Sequence, residues 1–564
     1  MNMSARDALG RLAERFWALQ CDEFPMTAIQ AGVSHDAEML LREAPGDYER
    51  RAAWAKSAKL ELMAIDVAGL DADDRATHAL LERELNALIE IVECNAHLRP
   101  SLYPGGPEFE LGYWAGATVL ATVADARRYL ERLASIPAAL DGVRSALAQG
   151  VRRGIRYPAI VIERAIEQVR GQVSMPVDDN PFYQPFRRVA GRSESFRAVA
   201  AEGYAVVAGE IYPAFQAYAD FIGTMLAGVA RQSIACTNDL DGDAFYRFQI
   251  RQFTTIDLSP DEIHAIGLAE VERLNNEMLA VAAEAGCPDD LAEFRRRLQG
   301  DNRQFLESGE ALREQIEILS KRIDAIIPEY FGRTPRTTYG IKSIPEAIAA
   351  KLPPAYAQPN PADGSAAGIH WITSIPAKCP RYMHLPLALH EAWPGHLMHL
   401  ALIQEMEHLP DFRRFGASRY AACLEGWALY CEALGEEMGF YDTPEKIYGR
   451  LEMEMWRAVR LVVDTGIHVR GWSREKAIRY FGEYMAMPLE TVAAEVDRYI
   501  AMPGQALAYQ VGNLTFRKIR LRAEAALAEN FRIRDFHDAL MAAGPVTLPV
   551  LDDLMDAWVN AQEA

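Results

Sequence analysis

Six of the twelve histidines lie between positions 370 and 408, where an even spread would place about one: His370, His384, His390, His396, His399 and His408. The centre of this cluster reads His390-Glu391-Ala392-Trp393-Pro394-Gly395-His396-Leu397-Met398-His399, approached by the apolar run Leu385-Pro386-Leu387-Ala388-Leu389. A His-Glu pair on an apolar helix is the arrangement of zinc hydrolases, in which imidazoles hold the ion and the glutamate acts as general base on its water. A hydrogen-bonded structural role competes with ligation for each single histidine. His370 and His408 are read as structural, and His384 and His399 as groups that steady a ligand.

The spacing departs from the usual pattern. HExxH repeats its histidines at i and i+4, on one helix face. Here they stand six apart, which on a regular helix leaves them about 120° from a common face. Pro394-Gly395 offers a place to absorb the two extra residues, because proline removes a backbone donor and glycine tolerates unusual torsions. The alternative pair, His396 and His399 at i+3, needs no distortion but leaves the His-Glu pair away from the ion. The pairing of His390 with His396 across a break is preferred.

One helix cannot surround an ion, so a third ligand is expected from another. Glu425 sits in the apolar, aromatic stretch Tyr420–Glu432, where an uncompensated carboxylate is costly. A metal, or an ion pair with Arg457 or Arg460, would compensate it. Glu432, seven residues on and near the same face, is the expected acceptor behind a histidine ligand.

These segments resemble the bacterial family known as domain of unknown function 885. The resemblance rests on the 390–396 run, Glu425-Gly-Trp-Ala-Leu-Tyr430, Asp464-Thr-Gly-Ile-His468-Val-Arg-Gly-Trp472, Arg498-Tyr499 with Pro503-Gly-Gln505-Ala-Leu-Ala-Tyr509, Glu262-Ile-His264-Ala-Ile-Gly-Leu and Asp178-Asp-Asn-Pro-Phe-Tyr183. It spans roughly residues 20 to 560. Leu397 stands where members often carry a second histidine, and His399 where they often have glutamine. The family is regarded as similar to gluzincin-type metallopeptidases with a helical body. The resemblance therefore implies zinc hydrolysis, with His390, His396 and Glu425 as ligands and Glu391 as base. It also directs attention to His468 and Tyr509 as donors to the developing oxyanion.

Arg457, Arg460 and Arg498 are candidates to bind a substrate carboxylate, against the plainer role of pairing with excess acid. The loop Pro353–Gly364, leading into Ile369–Ile372, is either a strand edge for extended peptide or a surface loop.

The elements that must position these residues are mostly helices. Apolar residues recur at three and four over 49–68, 73–91, 124–148, 160–173, 195–225, 260–285 and 302–327. Tyr246–Phe253 and Ile369–Ile375 alternate and are read as strands. The 564 residues are 50% hydrophobic and 24% charged, enough for a large core. Lys plus Arg is 59 against Asp plus Glu at 79, a net charge of −20 that argues against nucleic acid or an anionic membrane as partner. Seven scattered cysteines include no CxxC, so no disulfide framework or thiolate zinc is expected. The start reads as a charged amphipathic helix with no signal peptide or membrane span, so a cytoplasmic location is expected.

The expectation is a mainly α, two-lobed metallopeptidase-like body with a few short strands and a central cleft. A helical lobe over 1–235 would join a metal-binding lobe over 236–564 across a weak boundary, or the two halves would interleave as one body. One zinc ion and a peptide or small amide substrate would complete it. Two rivals remain: a non-hydrolytic metalloprotein, and a metal-free helical binding protein.

Overall fold

A computed structural model describes residues 4–32, 41–288, 290–350, 352–362, 364 and 366–563. Helices dominate it, as the periodicity requires, and one three-stranded sheet accompanies them. The helices around the candidate site are labelled in chain order: α1 (Gly242–Thr254), α2 (Pro260–Glu284), α3 (Gly309–Tyr330), α4 (Arg381–Glu391), α5 (His396–Gln404), α6 (Ala421–Glu437), α7 (Pro444–Arg470), α8 (Leu489–Ala501) and α9 (Ala508–Leu527).

The long helix α7 is the axis of the molecule. Pro444 opens it behind the Thr443 cap, and Gly471 closes it in the left-handed conformation. Nearly every side chain from Tyr448 to His468 is buried, so α7 is a helix enclosed on all sides. The enclosed face is not wholly apolar: Arg450, Glu452, Glu454, Arg457, Arg460, Asp464 and His468 are all buried. Charges in such a place need partners or ligands.

The apolar core forms two clusters, and each draws on residues both before and after position 235. Helix α4 contributes to both, Tyr382 and Leu387 to one and Leu385, Ala388 and Leu389 to the other. The His-Glu helix thus runs along the seam between them. Within the second cluster α6 and α9 meet backbone to backbone at Gly426 and Gly512, where any Cβ would overlap the opposite helix. This contact brings the start of α9 against the residue next to Glu425.

The sheet has order β1-β3-β2, with β1 (Tyr339–Ser343) parallel and β2 (Ala355–Gln358) antiparallel to β3 (Gly368–Ile372). The strand expected over 369–375 is therefore the central one, while the loop before it carries β2 at the edge of the sheet. Of the loop before it, residues 363 and 365 lie outside the described residues.

Tyr246–Phe253 is not a strand but part of α1. Gly242, Tyr246, Ile250 and Thr254 are buried every fourth residue, a helical stripe that the shorter alternation of Tyr246, Phe248 and Ile250 disguised. The run 124–148 is two helices, Val123–Ala134 and Ile136–Arg153, parted at Ser135 before Pro137. Over 195–225 two π-turns flank the helix that Pro213 opens; the first precedes a proline that cannot donate to it.

Candidate metal centre

Helix α4 stops at Glu391. Ala392 leaves the helical region with φ −89 and ψ −132, the Trp393–Pro394 peptide is cis, and α5 begins at His396 after Gly395. Gly395 packs so closely that a Cβ would overlap the carbonyl oxygens of Leu389 and His390. The Trp427 indole N–H of α6 donates to the Pro394 carbonyl at 3.0 Å, fastening the break to the next helix. The six-residue spacing is served by this break: the His390 and His396 rings stand 4.7 Å apart between centroids, inclined at 86°.

Glu425 of α6 completes a group of three. Its Oε2 lies 3.4 Å from His390 Nε2 and 3.5 Å from His396 Nε2. One donor atom from each residue falls within 4.8 Å of the other two. That carboxylate oxygen is buried and has no hydrogen-bond partner, an expensive condition unless a cation joins it. Donor atoms 2.0–2.2 Å from a tetrahedral ion stand roughly 3.3–3.6 Å apart. The two Glu425–histidine separations fall in that range, and two imidazoles with one carboxylate suit zinc.

The surroundings favour positive charge at this point. Burial opposes a proton on His390, but the Glu425 and Glu432 carboxylates outweigh it and hold the ring up at about 9. The same pairing with both histidines overcomes burial to hold Glu425 well below the usual carboxylate range. His390 Nδ1 bonds Glu432 Oε1 at 2.8 Å. This fixes the ring and leaves Nε2 facing Glu425.

The remaining candidates divide. Glu391 follows His390 directly, is 8% exposed, and adds to the field at that ring. His399 packs at 5.9 Å on Trp427, its Nδ1 unpartnered, with burial and then His396 pushing it down to about 3. His384 bonds the Cys379 carbonyl at the far end of α4.

His468, expected as a donor to the oxyanion, is held by backbone instead. Its Nδ1 accepts from the Cys236 N–H at 3.1 Å and its Nε2 donates to the Tyr499 carbonyl at 3.0 Å, so both ring nitrogens are spent on the backbone. It also lies eight residues, about 12 Å, beyond Arg460 along α7.

The Glu425 charge also acts on Tyr509: burial first, and then that charge, hold its hydroxyl proton more tightly than usual. Around its ring gather the arginines, Arg460 at 4.5 Å and Arg457 at 5.9 Å from the centroid. Arg460 donates to Tyr499 and Glu495, while Arg498 binds Glu495 and Gln505. Arg457 stands 3.8 Å from Glu432.

His370, read as structural, lies close to this group. It is fully buried on β3 with neither ring nitrogen partnered, and burial, then His390, push it down to about 3. Its inward position follows from the Gly368–Ile372 alternation. Three open cavities of about 360, 420 and 370 Å³ lie elsewhere, none lined by His390, His396 or Glu425.

Fold and site together define a mainly helical protein with a His-His-Glu cluster set across a broken helix. The chain belongs to the family described as bacterial protein of unknown function (DUF885), whose model matches residues 25–555. Among solved structures, one described as a "putative lipoprotein from Colwellia psychrerythraea" is 26% identical. The match covers 99% of this chain and all of that one, with a TM-score of 0.93. A second, described as a "putative lipoprotein of unknown function from Shewanella oneidensis", shares the fold at 16% identity and a TM-score of 0.75, covering 98% and 100%. No curated protein matches.

Proposed function

We propose that this protein is a metal-dependent hydrolase of peptide or other amide bonds. The observation that carries the reading is Glu425 Oε2, buried and without a hydrogen bond, facing the Nε2 atoms of two histidines. His390, His396 and Glu425 would hold one ion, taken as zinc, which when bound supplies a Lewis acid and lowers the pKa of water.

The chain's own residues provide the rest. Glu432 keeps His390 oriented through Nδ1. Glu391 accepts a proton from the attacking water and returns it to the leaving nitrogen. The water oxygen joins the carbonyl carbon as the C–N bond breaks, giving one acid and one amine. Tyr509 is the donor to charge developing on the carbonyl oxygen.

Among the described residues no helix is long and apolar enough to cross a membrane. The solved relatives are described as lipoproteins, whereas seven buried free cysteines suit a reducing compartment. We place this protein in the cytoplasm, and cell fractionation tests that.

Glu391→Gln tests the mechanism. Amide hydrolysis should fall by at least about 100-fold while bound metal is unchanged. Retained turnover would overturn the assignment of the base.

A further inference from the structure

Beside the His-His-Glu cluster lies a group of positive charges that the protein satisfies only in part: Arg457 Nη1 donates to the Met453 carbonyl and Arg460 to Tyr499 and Glu495. Arg457 and Arg460 are each 5% exposed, yet Arg457 Nε and Arg460 Nη1 have no hydrogen-bond partner, and neither has the adjoining indole N–H of Trp456. The carboxylates nearby are already committed. Glu495 is shared among Arg460, Arg498 and the Tyr499 hydroxyl, and Glu432 is bound to His390 at 2.8 Å and only 3.8 Å from Arg457. Three guanidinium groups therefore face one carboxylate and part of a second. Buried donors left over in a cationic setting favour an incoming anion.

The group is also joined to the proposed reaction centre. Arg457 meets Glu432, which holds His390. Arg460 lies against the Tyr509 ring, whose hydroxyl feels Glu425. An anion bound here would sit on the flank of the three ligands, on the side of α7 and the start of α9. Tyr509, which packs on the buried arginines, is itself partly exposed. Planar guanidinium groups with free N–H donors match a carboxylate better than any neutral group.

We propose that Arg457 and Arg460, with Trp456 beside them, are the receptor for a carboxylate of the substrate, and that the enzyme acts on peptides near a free C-terminus. The peptide nature of the substrate rests on the hydrolase reading above; the carboxylate receptor stands on the unpartnered donors. Hydrolysis remains the balanced step already described, with the departing amine belonging to the fragment that carries the anchored carboxylate.

The test is equilibrium binding to zinc-loaded Glu391→Gln protein, by calorimetry. The probes are acetylated mixed-sequence pentapeptides ending in a free acid, the same peptides ending in an amide, and an amide set with a penultimate Glu. Charge-assisted bonds predict that the free acids bind at least about tenfold tighter than the amides. Arg460→Gln and, separately, Arg457→Gln should remove that preference without weakening the amides. Equal binding of acids and amides, no binding of either, or a preference that survives both variants would overturn the proposal. Tight binding of the Glu amides alone would keep the carboxylate receptor and overturn the C-terminal assignment. Turnover by the wild-type protein is scored separately: discrimination without turnover sinks the hydrolase reading, and turnover without discrimination sinks the receptor.

Discussion

Trp427 and Pro394 are joined by an indole N–H to carbonyl bond of 3.0 Å, and this bond ties helix α6, which carries Glu425, to the break that turns His396 back toward His390. Trp427 is fully buried, stacked on Tyr430 and edge-on to Phe331. One residue thus serves both the core and the alignment of His390, His396 and Glu425. Trp427→Phe should cost about 1 kcal/mol for the lost bond, and Trp427→Ala about 3–5 kcal/mol for the cavity. Both should weaken metal uptake, read by urea unfolding and by zinc titration. A Phe variant with wild-type stability and uptake would show that the bond positions nothing.

Gly395 and Gly512 are predicted to reject a methyl group. At each, a Cβ would overlap backbone: His390 and Leu389 carbonyls for Gly395, the Ala422 carbonyl for Gly512. Gly395→Ala should destabilise by at least about 1–3 kcal/mol and deplete the metal. Gly482, which has open space around it, is the control, and Gly482→Ala should leave metal content unchanged. Equal metal content in the Gly395 and Gly482 variants would mean that the break tolerates a side chain.

Glu432→Gln keeps an acceptor for His390 but removes the charge behind it. Metal affinity should drop by about 10–100-fold with little change in fold, measured by competition with a chromogenic chelator. Unchanged affinity would mean that Glu432 belongs to the Arg457 pair alone.

His468 sets a pH dependence of stability. Its Nδ1 accepts from the Cys236 N–H, so the folded ring must be neutral, and burial pushes it down from 6.5 to about 4. A depressed folded pKa means that this stability is fully present above pH 6.5 and is lost as pH falls toward 4. The loss is on the order of 3 kcal/mol by pH 4. Unfolding of His468→Gln should show a shallower acid limb, with activity per folded molecule near wild type at neutral pH. A large loss of activity without a change in the acid limb would restore the catalytic role.

The parts of the site legible in the sequence are those whose chemistry is local. Pro394-Gly395 announces a helix break by its own backbone properties. Glu425 stands out because a carboxylate in the apolar run Tyr420–Tyr430 calls for a partner, and Glu432 follows from a spacing of two turns. What the sequence hid depends on partners far along the chain. His468 is bonded to Cys236, 232 residues away, and to Tyr499, and nothing near it in sequence shows that both nitrogens are occupied. The gathering of Arg457, Arg460 and Arg498 about Tyr509 and Glu495 draws on α7, α8 and α9 at once. The misread strand in α1 has a different cause: Tyr246, Phe248 and Ile250 alternate while the helix buries every fourth residue.

The central claim is that His390, His396 and Glu425 hold a metal ion. Elemental mass spectrometry of protein purified without a metal-affinity column, beside His390→Ala and Glu425→Ala, tests it most directly. The account predicts about one zinc per chain in the wild type and its loss from both variants, each still folded by circular dichroism. A folded wild-type chain that carries no metal and takes up none when zinc is added would contradict it.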